Sequence, residues 1–429
     1  MRRDAPAVAK LCYLSAVLAT AWAARSIFSP FQELVKADLG LTDIKMSVVQ
    51  GAALAVPSIP LSLLAGRLID TRNRMLLLAV LSGLTMLGSI GTAFSRDFAG
   101  LIGYRALAGL GMLEEAVVLS LAADLFAPER RGRANIMIVA GDYAGSSLGF
   151  VLAGWLIPVA PHLPFLASYG GWRDIQLLFG LAGFVFSLPL LLIREPRRHE
   201  CSVAAGLPLR EGWRLLWRLR GVLQPLLLAQ IAIITAGNVL WVWVLPVLDR
   251  RFGLAPAELG AIAATIMPLA ALAGALVSGL LVDRQDAWRS GALLIAALAC
   301  ALAIPASFFP LLPALPLTGA LLFLLVMTNT AAALCSNTFA VIAIPNDLRG
   351  LWFGLSGALP LLVGYAIAPT LVAYLSTAIA GRDALADALA IVLVLCNVIA
   401  LASYLRAWRQ ARRSGDRRVA SASGLATAL

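Results

Sequence analysis

The chain has 429 residues, of which 60% are hydrophobic and 13% charged, and its mean hydropathy is +0.87. Soluble domains run at about 45–50% apolar and about 25% charged, so these proportions exclude a water-soluble globular fold and call for lipid as solvent. A net charge of +11 would raise nucleic acid as a partner of a soluble chain. Here no basic stretch is interleaved with aromatics in the way that tracks a nucleic-acid backbone, and Lys and Arg are what membrane proteins retain in cytoplasmic loops.

The N-terminal Met-Arg-Arg-Asp precedes an apolar stretch from about Leu11 to about Phe31, longer than a signal-peptide core and without a small-residue cleavage site. It reads as a retained first span. Windows of the roughly 20 apolar residues that cross a bilayer then fall near 11–33, 46–66, 75–94, 98–125, 134–158, 174–193, 222–246, 257–281, 289–308, 314–343, 351–378 and 384–406. The alternation of barrel strands is missing, so the expected fold is all-α and integral to the membrane, with twelve transmembrane helices. Residues 1–193 form a first half and 222–407 a second, with a linker at 194–221 and a tail at 408–429 that is basic and then of low complexity.

Sidedness follows from Lys and Arg. With twelve spans, 25 of them fall on the side of both termini and seven on the other, which puts the termini in the cytoplasm of a cell-membrane protein. In the linker Arg210, Arg214 and Arg218 recur every four residues beside Trp213, Leu216 and Trp217. That pattern predicts an interfacial helix with aromatics at headgroup depth and Arg toward anionic lipid; a plain solvated linker is the alternative.

Loop motifs recur in both halves. Gly66-Arg67-Leu68-Ile69-Asp70-Thr71-Arg72-Asn73-Arg74 follows the second span, and Gly279-Leu280-Leu281-Val282-Asp283-Arg284 follows the eighth. Pro128-Glu129-Arg130-Arg131-Gly132-Arg133 follows the fourth, and Pro345-Asn346-Asp347-Leu348-Arg349-Gly350 the tenth. Their offsets, 213 from Gly66 to Gly279 and 218 from Gly132 to Gly350, describe a six-plus-six duplication, an architecture in which substrate binds between the repeats.

On these motifs the sequence resembles the major facilitator superfamily. Within it the chain is most similar to the spinster-like branch, through Lys36-Ala37-Asp38-Leu39-Gly40-Leu41, Arg105 with Gly109 and Gly111, Gly171-Trp172-Arg173 and Arg194-Glu195-Pro196. The resemblance implies secondary active transport by alternating access, in a branch whose animal members are linked to lysophospholipids and sphingolipids. It also implies a monomer. Asp70 and Asp283 then sit at cytoplasmic helix ends, where each carboxylate can meet a helix N-terminus or an Arg such as Arg131 or Arg349. Gly66, Arg72, Arg74, Gly279 and Arg284 complete the expected cytoplasmic gate. Thr71 stands where the superfamily usually has Arg, so the N-terminal latch is either weaker or uses Arg72. Ordinary surface pairs worth under about 1 kcal/mol are the alternative.

Ionisable groups inside spans default to functional roles. Arg25 lies in span one, Arg105, Glu114 and Glu115 in span four, and Asp142 in span five. Helical spacing places Arg105, Gly109, Met112 and Glu115 on one face and turns Glu114 away, so Glu115 is the expected cavity carboxylate. Arg25 needs an anion, from Glu115, Glu114, Glu33 or the substrate, and a permanent structural pair with span four is the alternative. The spinster-like branch usually has acids where this chain has Ala24 and Met112. Either a proton-linked carboxylate has moved to Glu114, Glu115 or Asp142, or the protein is not proton-coupled. Gly145 and Gly149 read as a close-packing stripe, and the resemblance to the superfamily implies span eight as the neighbour. The second half offers Asn238, Trp241 and Trp243 in span seven, Asn329 and Asn337 in span ten and Asn397 in span twelve, which suits the apolar part of an amphipathic solute.

No enzyme is expected. Cys12, Cys300, Cys335 and Cys396 stand singly in apolar runs, Cys201, His162 and His199 fall in loops, and no metal-ligand spacing or nucleophile with its base can be assembled. No cofactor is expected either: a phosphate-binding loop for ATP is missing, leaving a proton or solute gradient as the driving force. The expected partners are a small or amphipathic organic solute, membrane lipid and protons, not nucleic acid. A multidrug or metabolite exporter and a non-transporting membrane sensor are the alternatives.

Overall fold

In the computed structural model, residues 5–126, 128–157, 171–196, 198, 213, 214, 216, 217, 219–283, 291–344, 346–379 and 384–426 are described; the side chains of some helical residues near the loop motifs lie outside that description. So do Arg210 and Arg218 of the expected interfacial helix. Backbone groups in hydrocarbon must be paired internally, and every element among the described residues is a helix. The helices are α1 (Ala5–Ser26), α2 (Gln32–Leu39), α3 (Asp43–Ser47), α4 (Ala53–Thr71), α5 (Arg74–Ala93), α6 (Phe98–Leu110), α7 (Glu114–Leu125), α8 (Pro128–Leu156) and α9 (Trp172–Ser187). They continue with α10 (Arg220–Phe252), α11 (Pro256–Asp283), α12 (Gly291–Ala306), α13 (Leu315–Ala343), α14 (Asn346–Pro360), α15 (Ala368–Ala378) and α16 (Ala384–Ala426).

Eleven helical stretches among the described residues are long and apolar enough to cross a bilayer. They coincide with every expected window except 134–158, which is occupied by the 29-residue α8. Two stretches depart from expectation at their ends. The first continues through α2 to Leu39, where Gly40 at φ 61° caps it in the left-handed conformation that Cβ disfavours. The last helix runs to Ala426, well into the expected low-complexity tail.

The chain divides into two compact units. One comprises Met1–Ser202, Val242–Pro268 and Tyr365–Tyr374; the other Val203–Trp241, Leu269–Gly364 and Leu375–Leu429. In the first, Leu14, Val17 and Leu18 of α1 pack with Leu78 and Leu81 of α5 and with Val117, Val118 and Leu121 of α7. Helices in lipid gain by close packing of small residues rather than by hydrophobic burial, and α8 uses Gly145 and Gly149 for this purpose. A Cβ at Gly145 would run into the Ala19 carbonyl, and one at Gly149 would sit 2.6 Å from the Ala23 carbonyl. The stripe therefore packs on α1. The expected neighbour, span eight, meets α8 one step further along, where a Cβ at Gly154 would collide with Ala257.

Two turns are π-helical: Val48–Ala52 precedes α4 and Leu361–Ile367 precedes α15. Within the first unit, Gly51 lies directly against the Tyr365 carbonyl. Such wide turns concentrate at functional sites. In the second unit Leu226, Ala229 and Ile233 of α10 pack with Leu293, Ala296 and Cys300 of α12, Ala332 and Cys335 of α13, and Ala400 and Tyr404 of α16.

Candidate functional site

Arg25, in the last turn of α1, is 7% exposed. Its Nη1 lies 3.9 Å from Glu114 Oε1, too far for a hydrogen bond, and its Nε and Nη1 find no acceptor among the described residues. The guanidinium stacks 4.7 Å from the centre of the Trp22 ring. Glu114 is fully buried; Thr85 donates to its Oε1 at 2.6 Å, and its Oε2 accepts no bond from the described residues. Glu115, Asp142 and Tyr365 lie within electrostatic reach of Arg25, and the Trp22 indole donates to Asp142.

Local structure explains how Glu114 reaches this place. Gly111–Leu113 form a 3-10 turn between α6 and α7, which adds rotation relative to an α-helix. Gly111 lies against Thr85 Oγ1 and Glu114 Oε1, so any Cβ there would occupy the space of their hydrogen bond. A short distance away, Arg105 donates from Nη2 to Gln50 Oε1 at 2.8 Å and stacks 4.5 Å from the Phe28 ring centre. Gln50 belongs to the first π-turn. Among the described residues no carboxylate lies within ion-pair reach of Arg105.

A second cluster of charges lies past the Arg25 group in the same unit. Arg250, near the end of α10, donates to Asp43 Oδ2 from Nη1 at 2.8 Å, and from Nη2 to Asp43 Oδ1 and Glu33 Oε1, each at 2.7 Å. Lys36 pairs with Glu33 at 3.1 Å and with Asp43. Beside it, Ser47 donates to Thr370 at 3.0 Å and the Trp243 indole to the Pro369 carbonyl at 3.0 Å. Arg173 and the Trp172 indole both bind Asp38 on α2.

At the other end of the unit, Arg74 is 3% exposed. It pairs with Asp124 at 2.6 Å and Glu195 at 2.7 Å, and donates to the Ser120 carbonyl at 3.2 Å. Asn73 caps α5 by accepting from the Met75 and Leu76 amides. Arg198 donates to the Arg72 carbonyl at 2.6 Å. In the second unit Asn329 is 7% exposed with both side-chain polar atoms unbonded among the described residues, and Asn238 has an unbonded Nδ2. Gln230 and Asn337 bond at 3.1 Å, while Asn397 bonds Ser307 at 3.2 Å.

Residues 14–369 match the model of the Major Facilitator Superfamily. The chain belongs to this superfamily. It superimposes on two structures of a bacterial homologue of the human lysosomal transporter Spinster, both inward-facing. For the unoccupied one the TM-score is 0.76 at 18% identity, covering 95% of this chain and 98% of that one; for the occupied one it is 0.76 at 17%, covering 94% and 97%. These neighbours share the fold, and they are of the branch that the motifs resemble. Among curated proteins, the 4-hydroxybenzoate transporter PcaK of Pseudomonas aeruginosa is 28% identical over 196 residues, 46% of this chain and 40% of that protein. The chain thus matches about two fifths of that relative's length.

For a superfamily member the geometry selects among the anions considered for Arg25. Glu114 is the carboxylate paired with it, whereas helical spacing favoured Glu115 for the cavity. Alignment with Arg105 said nothing about which neighbouring helix carries Arg25, and the 3-10 turn alters the phase; Glu115 is only partly buried. Glu33, one of the anions considered for Arg25, pairs with Arg250 and Lys36 instead. Of the gate residues, Gly66, Asp70, Arg131, Asp283 and Arg349 sit at or near the helix ends that the motifs require, but their side chains, and Arg284 altogether, lie outside the described residues. Gly279 faces open space, Arg72 is exposed, and Arg74 is a buried ion-pair hub. Trp241 is partly buried. The partners of the two surface-side arginines, Asp124 for Arg74 and Asp43 for Arg250, were missed, because Asp124 falls inside an apolar window and Arg250 counted only toward sidedness.

Proposed function

We propose that this superfamily member is a secondary active transporter of an amphipathic organic anion, whose negative group is read by Arg25. The observation that carries the reading is the half-satisfied guanidinium: buried, stacked on Trp22, and held 3.9 Å from its one ion-pair partner among the described residues. A buried guanidinium in a structural pair would gain from direct hydrogen bonds; one that awaits a substrate anion keeps donors free. The named relative PcaK handles an organic carboxylate, 4-hydroxybenzoate, in keeping with such a substrate.

In this reading twelve helices form two six-helix halves in the cell membrane, with both termini cytoplasmic, and the protein works as a monomer. Asn238, Trp241 and Asn329, within the second unit, are the candidates there for contact with the apolar part of the solute. Glu114, Glu115 and Asp142 are the proton acceptors, since protonation of Glu114 would release Arg25 to a substrate. The Arg250 cluster closes the non-cytoplasmic side, and the Asp70 and Asp283 motifs with Arg131, Arg284 and Arg349 close the cytoplasmic side.

The test is uptake by proteoliposomes of lysophospholipids, aromatic carboxylates and lipophilic cations, with and without an imposed pH gradient. Anion movement that responds to the gradient is expected, lost in Arg25→Ala with folding retained, and freed from pH dependence in Glu114→Gln. Transport of cations by both wild type and Arg25→Ala would support the exporter reading instead, and binding without movement a sensor.

A further inference from the structure

The start of α10 and the segment before it carry one continuous stripe: Trp213, Leu216, Trp217 and Arg220 follow i, i+3, i+4, i+7 spacing, and Leu223 and Leu227 extend it down the helix. Trp352, Leu355 and Leu359, again at i, i+3 and i+7, face it from α14. Between the two stripes lies a cavity of about 220 Å³, entirely within the second unit and sharing no residue with the Arg25 cluster. Eight residues of helix, from Arg220 to Leu227, give it a length of roughly 10 Å.

Its chemistry is that of a lipid rather than of a soluble solute. Apart from Gln224 and Arg220 the lining is Leu and Trp. Trp213 and Trp217 are 48% and 53% exposed, the amphipathic placement of aromatics at a headgroup boundary. Arg220 stacks 5.4 Å from the Trp217 ring centre, and among the described residues no carboxylate pairs with it. Arg214, exposed on the same short segment, adds a second positive charge. Trp352 is 2% exposed, lines the cavity, and its indole Nε1 has no acceptor among the described residues. A buried N–H without a partner is costly, and a phospholipid ester or phosphate oxygen would satisfy it.

We propose that this groove binds one anionic phospholipid of the cytoplasmic leaflet, with its phosphate on Arg220 and Arg214, an acyl chain between α10 and α14, and an oxygen of the glycerol ester region accepting from Trp352. The lipid so held would tie the end of the linker to the second unit. Positive charge at the mouth selects the anionic headgroup, and the apolar walls select a chain over a free phosphate.

Native mass spectrometry of the full-length protein in detergent, with equal amounts of phosphatidylglycerol and phosphatidylcholine, tests the site. Wild type is expected to retain phosphatidylglycerol at least about fivefold over phosphatidylcholine at matched collision energy. Arg220→Gln should lose that preference, and Leu355→Trp, which fills the groove, should lose the adduct of either lipid. Thermal melts without lipid establish that the variants are folded, and Leu359→Phe replaces Leu355→Trp if the latter is not. Equal retention of both lipids by wild type would overturn the proposal, as would undiminished phosphatidylglycerol binding in folded Arg220→Gln and groove-filling variants. Glycerol 3-phosphate displacing the lipid at equal concentration would also overturn it, by making the site one for soluble anions.

Discussion

Replacing Arg250 by Ala should open the non-cytoplasmic side. Arg250 makes three charge-assisted hydrogen bonds of 2.7–2.8 Å, two to Asp43 and one to Glu33, and the side chains are 31%, 17% and 28% exposed. At that partial exposure each bond is worth about 1 kcal/mol, above an open surface pair and below a buried one. Lys36 stays on both carboxylates in the variant, so the net loss is nearer about 2 than about 3 kcal/mol. That shifts the closed-to-open ratio about 30-fold. Ser47, fully buried and bonded to Thr370, is a reporter of the closure. In a background lacking the native cysteines, Ser47→Cys should react with a membrane-impermeant maleimide applied from the non-cytoplasmic side about 30-fold faster when Arg250 is replaced by Ala. Arg250→Lys should fall between, because an ammonium cannot span both carboxylates in the bidentate geometry, and added salt should shrink the difference. Equal labelling rates with and without Arg250, in protein with an unchanged melting curve, would refute the role.

Two further outcomes follow from buried geometry. Gly111→Ala places a methyl where Thr85 Oγ1 and Glu114 Oε1 meet; overpacking of that kind costs about 1–3 kcal/mol, and both the melting temperature and transport should fall, an effect that Thr85→Ser would not reproduce. Arg74→Ala takes away the cation of Asp124, while Glu195 keeps Arg198 at 3.2 Å. Breaking a buried pair from one side costs about 3–5 kcal/mol, so the variant should show a clearly lowered melting temperature in detergent, whereas Arg72→Ala, an exposed side chain, should melt like wild type.

Long apolar windows made the spans legible. Intramembrane charge was legible as well: Arg25, Arg105, Glu114, Glu115 and Asp142 stand out in otherwise apolar runs. What the sequence did not reveal is pairing. Glu33 and Arg250 are 217 positions apart, and no local pattern links them; only the folding together of α2, α3 and the end of α10 does. The same is true of Gly145, whose small size announces a close neighbour but not that the neighbour is Ala19 rather than span eight. The π-turn at Gln50 was hidden for a different reason, since nothing in Val48–Ala52 breaks the helical hydrophobic pattern that the turn interrupts.

The charges around Arg25 do not balance, and in the proposed reading that imbalance links substrate to protons. Arg25 and Arg105 act on each other and bring two positive charges; Glu114, Glu115 and Asp142 bring three negative ones, all within electrostatic reach of Arg25. An organic anion adds a fourth. Uncompensated charge in a low-dielectric interior is expensive, so the site accommodates the anion only when carboxylates take up protons, and Glu114, facing Arg25 with one oxygen already unbonded, is the group whose neutralisation most directly frees the guanidinium. In the proposed reading, the acids that the spinster-like branch carries where this chain has Ala24 and Met112 are replaced from another position. The 3-10 turn at Gly111–Leu113 presents an acid two residues beyond Met112 to Arg25, so the same partner is met from a shifted position in the sequence. A site built for a neutral solute would gain nothing from holding three carboxylates about an arginine it does not fully bond.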